Sequence, residues 1–238
     1  MREPDFFELI KNKRFAPGPG VAEPAPEKGI KRFLFLLAAH FWKLVSLNLL
    51  FLLFSIPVVT MPAALCGMNR VLIKLVREGN CFLWSDFIKE FRAELFKSLP
   101  FGILYAFLLF DSYYAFSWSI SGENGLELLP AAVGFFLFGT AAVFFGYVFV
   151  FLPTLALKNR YIARNAFIIM LTEWKTSLVI LGSTLAMSFF AAAFLPYTVF
   201  FLLFIGFSLS QLIVCTAVNE PLQRRIIEPY EQERKAGL

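Results

Sequence analysis

Long apolar runs separated by short polar segments dominate the pattern along the chain. A helix that crosses a bilayer needs about 20 mostly apolar residues, because each residue adds about 1.5 Å of rise. Five stretches meet this requirement, namely residues 33–56, 99–120, 126–157, 176–194 and 196–218. The pattern therefore predicts an all-α, polytopic membrane helix bundle.

The placement of Lys and Arg predicts a sixth crossing. No basic residue lies between Lys97 and Lys158 or between Lys175 and Arg224, and such gaps are typical of chains that follow the positive-inside rule. A single crossing before the basic cluster at residues 70–97 would leave the basic amino-terminal segment on the opposite side of the membrane. A second crossing in that region removes the conflict and keeps both clusters cytoplasmic.

Residues 62–77 are the candidate for this additional crossing. They extend about 24 Å as a helix, which is short for a bilayer but workable when arginines extend to the interface. Pro57 and Pro62 then bracket an outer turn that includes Thr60. With six crossings both termini are cytoplasmic. The chain then divides into a Pro/Gly-rich cytoplasmic arm, a six-helix transmembrane domain and a charged cytoplasmic tail, at residues 1–32, 33–218 and 219–238.

A charged segment with an apolar face connects the second and third crossings. Within residues 84–98, Phe87, Phe91 and Leu95 fall on one face of a helix, and the charged residues lie mostly off it. The pattern predicts a cytoplasmic amphipathic helix on the inner leaflet, and the alternative is a soluble helix packed on the bundle. We expect Phe87, Phe91, Arg92 and Leu95 to form an inner-face docking surface.

Composition supports a membrane protein and excludes several other classes. Hydrophobic residues make up 58% of the 238 positions and charged residues 16%, a balance that a soluble domain could not bury. The net charge of +5 is not arranged as a basic stripe, so nucleic-acid binding is not expected. The 3 cysteines lack paired spacing, and neither a metal site nor a cofactor is predicted.

Asn48, Arg70 and Asp111 share one depth in the predicted topology. Each lies about 12 Å, by helix rise, from the predicted outer end of its helix. An unpaired charge in hydrocarbon is costly. We therefore predict an Arg70–Asp111 ion pair with Asn48 hydrogen-bonded beside it. The cluster is either a structural lock between three helices or a coupling site for protons or solute.

The sequence contains no constellation typical of an enzyme. It has no Ser/His/Asp set, no Cys/His nucleophile, no paired carboxylates and no phosphate-binding loop. His40 is the single histidine, and a lone histidine is more often a packed or interfacial side chain than a ligand. We therefore predict no catalytic residue and no enzymatic activity.

Three short motifs resemble those of a known family. The motifs "LNLLF" and "IPVVT" lie at the end of the first predicted crossing, and "FLWSDF" precedes the third. On these motifs the chain resembles the YesL family of bacterial membrane proteins from about residue 17 to the last predicted span, and most strongly over residues 41–98. "PVVTMPAAL" lacks the family's usual glycine after "PVVT". The resemblance implies the cytoplasmic membrane of a bacterium and a role beside carbohydrate uptake in Gram-positive species. No activity is assigned to that family.

Two functions remain open from the sequence. The first is a non-enzymatic accessory or scaffold protein of carbohydrate uptake, bound to the lipid bilayer and to a partner such as a sugar ABC transporter. The alternative is a small permease for a sugar-related solute, which needs a polar cavity near the middle of the membrane. A filled bundle core would count against transport, and a water-filled cavity that reaches Asp111 would favour it. The residues that could supply such a cavity are Gly102, Asp111, Gly134, Gly139, Thr140 and Gly146.

Overall fold

The computed structural model describes residues 29–121, 128–194 and 197–229, and every regular element within these ranges is helical. A 3-10 turn at Val58–Thr60 joins the second helix to the third, and the last helix contains two π-helical turns, Leu202–Gly206 and Gln223–Ile227. The predicted arm up to residue 28 and the predicted tail from residue 230 lie outside the described ranges. In chain order the helices are α1 (Gly29–Ala39), α2 (Phe41–Phe54), α3 (Met61–Glu78), α4 (Leu83–Ser121), α5 (Leu128–Phe151), α6 (Asn159–Thr172), α7 (Trp174–Ala193) and α8 (Tyr197–Ile227).

Helix length and apolarity confirm the membrane helix bundle. Among the described residues, 5 helices are long and apolar enough to cross a membrane, namely α3 with the turn before it, α4, α5, α7 and α8. The bent pair α1 and α2 makes 6 if it counts as one span. Large apolar side chains are exposed along α4, α5, α7 and α8, which suits contact with lipid chains. Most side chains of α3, in contrast, are buried against other helices.

The first predicted span is broken. α1 and α2 meet at His40 with an angle of 80°, so residues 33–56 do not form one straight helix. The His40 ring Nε2 lies 3.1 Å from the Gly79 carbonyl oxygen, and Lys43 Nζ donates to Asn80 Oδ1 at 2.9 Å. The break between α1 and α2 is thereby held against the turn between α3 and α4. Hydropathy gives no sign of the break, because the apolar run continues through it.

α2, the 3-10 turn and α3 form a helical hairpin whose tip is the predicted outer turn. Thr60 Oγ1 lies 2.7 Å from the carbonyl oxygens of both Phe54, at the end of α2, and Pro57, so its single hydrogen is shared between them. The tip lies against the middle of α4, since a Cβ placed on Gly102 would be 2.1 Å from Pro62 Cγ. Gly102 lies about 28 Å of helix before Ser121. A turn therefore lies at the predicted position, and it stops well short of the level at which α4 ends.

α4 is a single helix of 39 residues that contains both the predicted amphipathic helix and the predicted third span. The apolar face of its first half is covered by protein. Phe87 is fully buried, and its ring centroid lies 5.5 Å from that of Phe54 and 6.3 Å from that of Phe91. Phe87 of this face is therefore covered by other helices, as the alternative of a helix packed on the bundle expects. This apolar face of α4 packs against α2 and α3. The sequence pattern predicts the face but does not identify the helices that cover it.

We expect Gly102→Ala to destabilise the protein. Its Cβ would meet the rigid ring of Pro62, and overpacking of this kind costs about 1–3 kcal/mol. Gly182→Ala is the matched control, since nothing lies within 4 Å of a Cβ at that position. Thermal unfolding in detergent should show a lower midpoint for the first variant and an unchanged or higher midpoint for the second. Equal midpoints for the two variants would contradict the close approach of α3 to α4.

Candidate functional site

Asn48 is fully buried and joins α2 to α8. Its Nδ2 donates to the carbonyl oxygens of Leu202 and Leu203 at 2.8 and 2.7 Å, and its Oδ1 accepts from the Ser208 backbone N–H at 3.0 Å. The two carbonyl groups belong to the π-helical turn Leu202–Gly206, in which the regular hydrogen-bond pattern of the helix is interrupted. The Asn48 amide therefore supplies hydrogen bonds where α8 departs from regular geometry.

Arg70 finds its partners on α4 and just beyond the end of α5. Its Nη1 donates to the Pro153 carbonyl oxygen at 3.0 Å, and its Nε lies 3.8 Å from Glu90 Oε2. The Arg70 side chain is 34% exposed, so its ion pair with Glu90 is partly screened and contributes about 0–1 kcal/mol. These contacts anchor α3 between α4 and the carboxyl end of α5.

The predicted ion pair between Arg70 and Asp111 is therefore wrong. Asp111 is exposed, and the hydroxyl of Ser112 beside it donates to the Gly134 carbonyl oxygen at 2.6 Å. Gly134 lies about 25 Å of helix before Phe151, the last residue of α5, whereas Arg70 binds beyond that residue. Counting depth inward from predicted helix ends misplaces Arg70, because the tip of the hairpin is not level with the end of α4.

A partly open pocket of about 230 Å³, called the cavity below, lies between α2, α3, α4, α5, α7 and α8. Its wall is largely apolar and includes Met61 from the hairpin tip, and its hydrogen-bonding groups come mainly from α7 and α8. No charged side chain of the described residues lines it, and Asp111 does not reach it. Such a wall suits an uncharged solute that combines hydroxyl groups with apolar surface. The polar side chains from α7 and α8 are Thr184, Ser188, Ser210 and Gln211.

A more apolar pocket of about 360 Å³ adjoins this cavity at the hairpin tip. It is lined by Val58 and Val59 from the tip and by Ile103 and its neighbours from α4. The pocket and the cavity share Met61 and Tyr105 in their walls. A shift of the hairpin tip would therefore change both spaces at once.

The predicted docking residues do not share one exposed surface. Phe87 is buried, Phe91 and Leu95 are half-buried, and Arg92 is exposed. The predicted docking surface is wrong for Phe87, and Phe91 and Leu95 offer only part of their side chains. The exposed aromatic residues at this end of α4 are Phe82, Trp84 and Phe96.

Glu173, between α6 and α7, holds the carboxyl end of α8. Its Oε1 accepts from Arg224 Nη2 at 2.7 Å and from Arg225 Nε at 2.6 Å. Burial opposes ionisation of this carboxylate, but the hydrogen bonds from Arg225 and Arg224 outweigh burial and lower the pKa of Glu173 below its ordinary value. The available sequence signal is that Glu173 is the one acidic residue in the basic segment 158–175.

The polar residues of the cavity escaped prediction because each is an uncharged side chain inside an apolar run. Gln211 gives the clearest signal, since it is the single amide in the predicted span 196–218. Within the described ranges, no three His, Cys, Asp or Glu side chains come together in a way that could hold a metal ion. The thiols of Cys66, Cys81 and Cys215 are free.

Comparison with known proteins finds an uncharacterised domain in the first half of the chain. A family described as "Protein of unknown function, DUF624" matches residues 44–116. The matched segment runs from α2 into α4, so it contains the hairpin and its contact with α4. The match is consistent with a YesL-like family. No curated protein and no solved structure matches the chain.

We expect Asn48→Ala to loosen the π-helical turn of α8. The substitution leaves two carbonyl groups and one N–H without the partner they have now, and each buried group left unpaired costs about 1–3 kcal/mol. Hydrogen exchange of the backbone amides at residues 202–208 should become faster. Asn80→Ala, which removes an exposed amide on another turn, should leave exchange in this segment unchanged. Unaltered protection of the segment in Asn48→Ala would show that Asn48 does not support it.

Proposed function

We propose that the protein is a small permease that moves an uncharged, hydroxyl-bearing solute across the bacterial cytoplasmic membrane and catalyses no reaction. The observation that carries this proposal is the cavity of about 230 Å³, whose wall offers hydroxyl and amide groups but no charged side chain. Such groups pair with the hydroxyls of sugars and polyols, and the apolar side chains cover their carbon faces. The YesL resemblance adds the context of carbohydrate uptake, so we take the solute to be sugar-related.

Irregular helix geometry beside the cavity favours this proposal. Transporters commonly bind their solutes where helices are interrupted near the middle of the membrane. Here the hairpin tip contributes Met61 to the cavity wall. The π-helical turn Leu202–Gly206 directly precedes Phe207 and Ser210 in the same wall. Turns of this kind occur frequently at functional sites.

The accessory or scaffold role stays a prediction, as does a sugar ABC transporter as the partner. That role relied on helix 84–98 and on segment 158–175 as the docking surface, and Phe87 of the first is covered by the protein itself. A scaffold also has no need of a pocket with hydrogen-bonding walls between its helices. Permeation therefore accounts for more of the geometry than docking does.

The proposal includes a revised membrane topology. We propose that α4, α5, α7 and α8 cross the bilayer and that the α2–α3 hairpin enters from the cytoplasmic side and returns to it. The tip supports this path because Ile56, Val58 and Val59 are 75%, 78% and 68% exposed beside the middle of α4, where apolar side chains belong in hydrocarbon. Four crossings still leave both termini cytoplasmic, in agreement with the positive-inside rule.

A cysteine at position 60 tests this topology. In a re-entrant hairpin, Thr60→Cys should not react with a membrane-impermeant maleimide added to intact cells, because the residue lies within the bilayer. Glu123→Cys, between the apolar runs of α4 and α5, should react from outside. The native Cys81, at the other end of α3, should react only in inside-out vesicles. Labelling of position 60 from outside would contradict the re-entrant path and restore the outer turn.

Gln211→Leu tests the cavity as a solute site. The substitution keeps a similar volume but removes the amide, so uptake should fall about two- to tenfold, as expected for a lost hydrogen bond of about 0.5–1.5 kcal/mol. Purified protein in liposomes is assayed for uptake of radiolabelled neutral monosaccharides and polyols, with protein-free liposomes as the blank. Gln223→Leu changes an exposed glutamine of the same helix and should transport as the unmodified protein does.

Two outcomes would contradict the proposal, the first by excluding permeation and the second by excluding the cavity as the solute site. The first is uptake of every neutral monosaccharide and polyol at the rate seen in protein-free liposomes. The second is equal uptake by the Gln211→Leu and Gln223→Leu variants, which would place the solute path away from the cavity.

A further inference from the structure

Two buried oxygen atoms of α4 have no hydrogen-bond partner within the described part of the chain. One is Oε2 of Glu94, a residue that is 4% exposed and whose Oε1 accepts from Lys97 Nζ at 2.9 Å. The other is Oγ of Ser98, which is fully buried. An unpaired buried polar atom costs about 1–3 kcal/mol, so two of them on neighbouring turns point to a ligand.

Helix geometry brings the two side chains to one face of α4. Residues four positions apart have Cβ atoms about 5–6 Å from each other, so Glu94 and Ser98 can reach a common point. Their free oxygens do not hydrogen-bond to each other. A hydrogen bond would draw the oxygens to about 2.7 Å, whereas a cation with oxygen ligands at about 2.3–2.6 Å holds them farther apart. A cation between the two oxygens would satisfy both.

Among the described residues, the Glu94 carboxylate has one cationic partner, Lys97, whose Nζ lies 2.9 Å from Oε1 and leaves Oε2 unpaired. The Lys97 side chain is 56% exposed, and Arg70 divides its donors between the Pro153 carbonyl oxygen and Glu90. The donor set of one carboxylate and one hydroxyl contains oxygen alone, which hard cations prefer over nitrogen or sulfur. A single carboxylate suits a monovalent ion, because all-protein sites for divalent ions usually assemble several carboxylates.

We propose that Glu94 and Ser98 form a binding site for Na⁺. Neither residue lines the cavity, so the site is separate from the proposed solute path and does not depend on permease activity.

Thermal unfolding of the purified full-length protein in detergent tests the site. Choline chloride is replaced stepwise by NaCl at constant ionic strength. We expect the unfolding midpoint to rise and then saturate, because an ion that binds the folded state alone stabilises that state. Ser98→Ala should weaken the apparent Na⁺ affinity at least about tenfold. Glu94→Gln should abolish the response, and if that variant fails to fold, Ser98→Ala decides the outcome because it removes only a hydroxyl.

Ser112→Ala is the matched control for the loss of a buried hydroxyl. Ser112 lies on the same helix and already has a partner in the Gly134 carbonyl oxygen, so its removal should lower the midpoint in every salt and preserve the Na⁺ response. A midpoint independent of Na⁺ in the unmodified protein, or an undiminished response in Ser98→Ala, overturns the site. An unfolding midpoint that changes with pH but not with Na⁺ would show that Glu94 binds a proton, and this result also overturns the Na⁺ site. Gln211→Leu should keep the Na⁺ response, which separates failure of this site from failure of permeation.

Discussion

The contact between Pro62 and Gly102 sets how far the α2–α3 hairpin extends along α4. Glycine at position 102 lets the Pro62 ring approach the helix to a distance at which any larger residue would clash. The tip consequently lies beside the middle of α4, and the other helices enclose the space in front of it. The cavity and the apolar pocket both border on Met61 at the tip, so both spaces exist because the hairpin ends there.

Polar side chains hold this hairpin by bonding to backbone carbonyl groups of its neighbours. Asn48 bonds to the π-helical turn of α8, Asn69 Nδ2 donates to the Phe149 carbonyl oxygen at 3.0 Å, and Arg70 donates to that of Pro153 at 3.0 Å. The acceptors lie in an interrupted turn or at the end of a helix, where carbonyl groups lack helical partners. Because an unpaired carbonyl in hydrocarbon is costly, the polar residues of the hairpin and the irregular parts of its neighbours stabilise each other.

The sequence predicts the positions of helices well where one long apolar run corresponds to one helix. α5 lies within the predicted span 126–157, and α7 follows 176–194 to within a few residues. The depth of a residue in the membrane is not predicted in this way, because hydropathy gives the length of an apolar run but not its level relative to other helices. The stripe at residues 84–98 fits lipid and protein equally well, so its true neighbours could not be inferred. The bend at His40 lacks the proline or glycine that usually announces a kink.

Uncharged and charged polar residues occupy different parts of the protein, and the free-energy cost of burying a charge explains why. Uncharged groups such as Gln211 and Ser210 can line a cavity, because burying them costs far less than burying an ion. A buried ion needs a constant partner, and the charged residues of α3 and α4 accordingly pair across the helices, as Lys74 and Asp86 do at 2.6 Å. Glu94 departs from this arrangement, since one of its two oxygens has a partner and the other has none. Its partner Lys97 lies on the same helix, and the unpaired oxygen is the atom to which the proposed Na⁺ would bind.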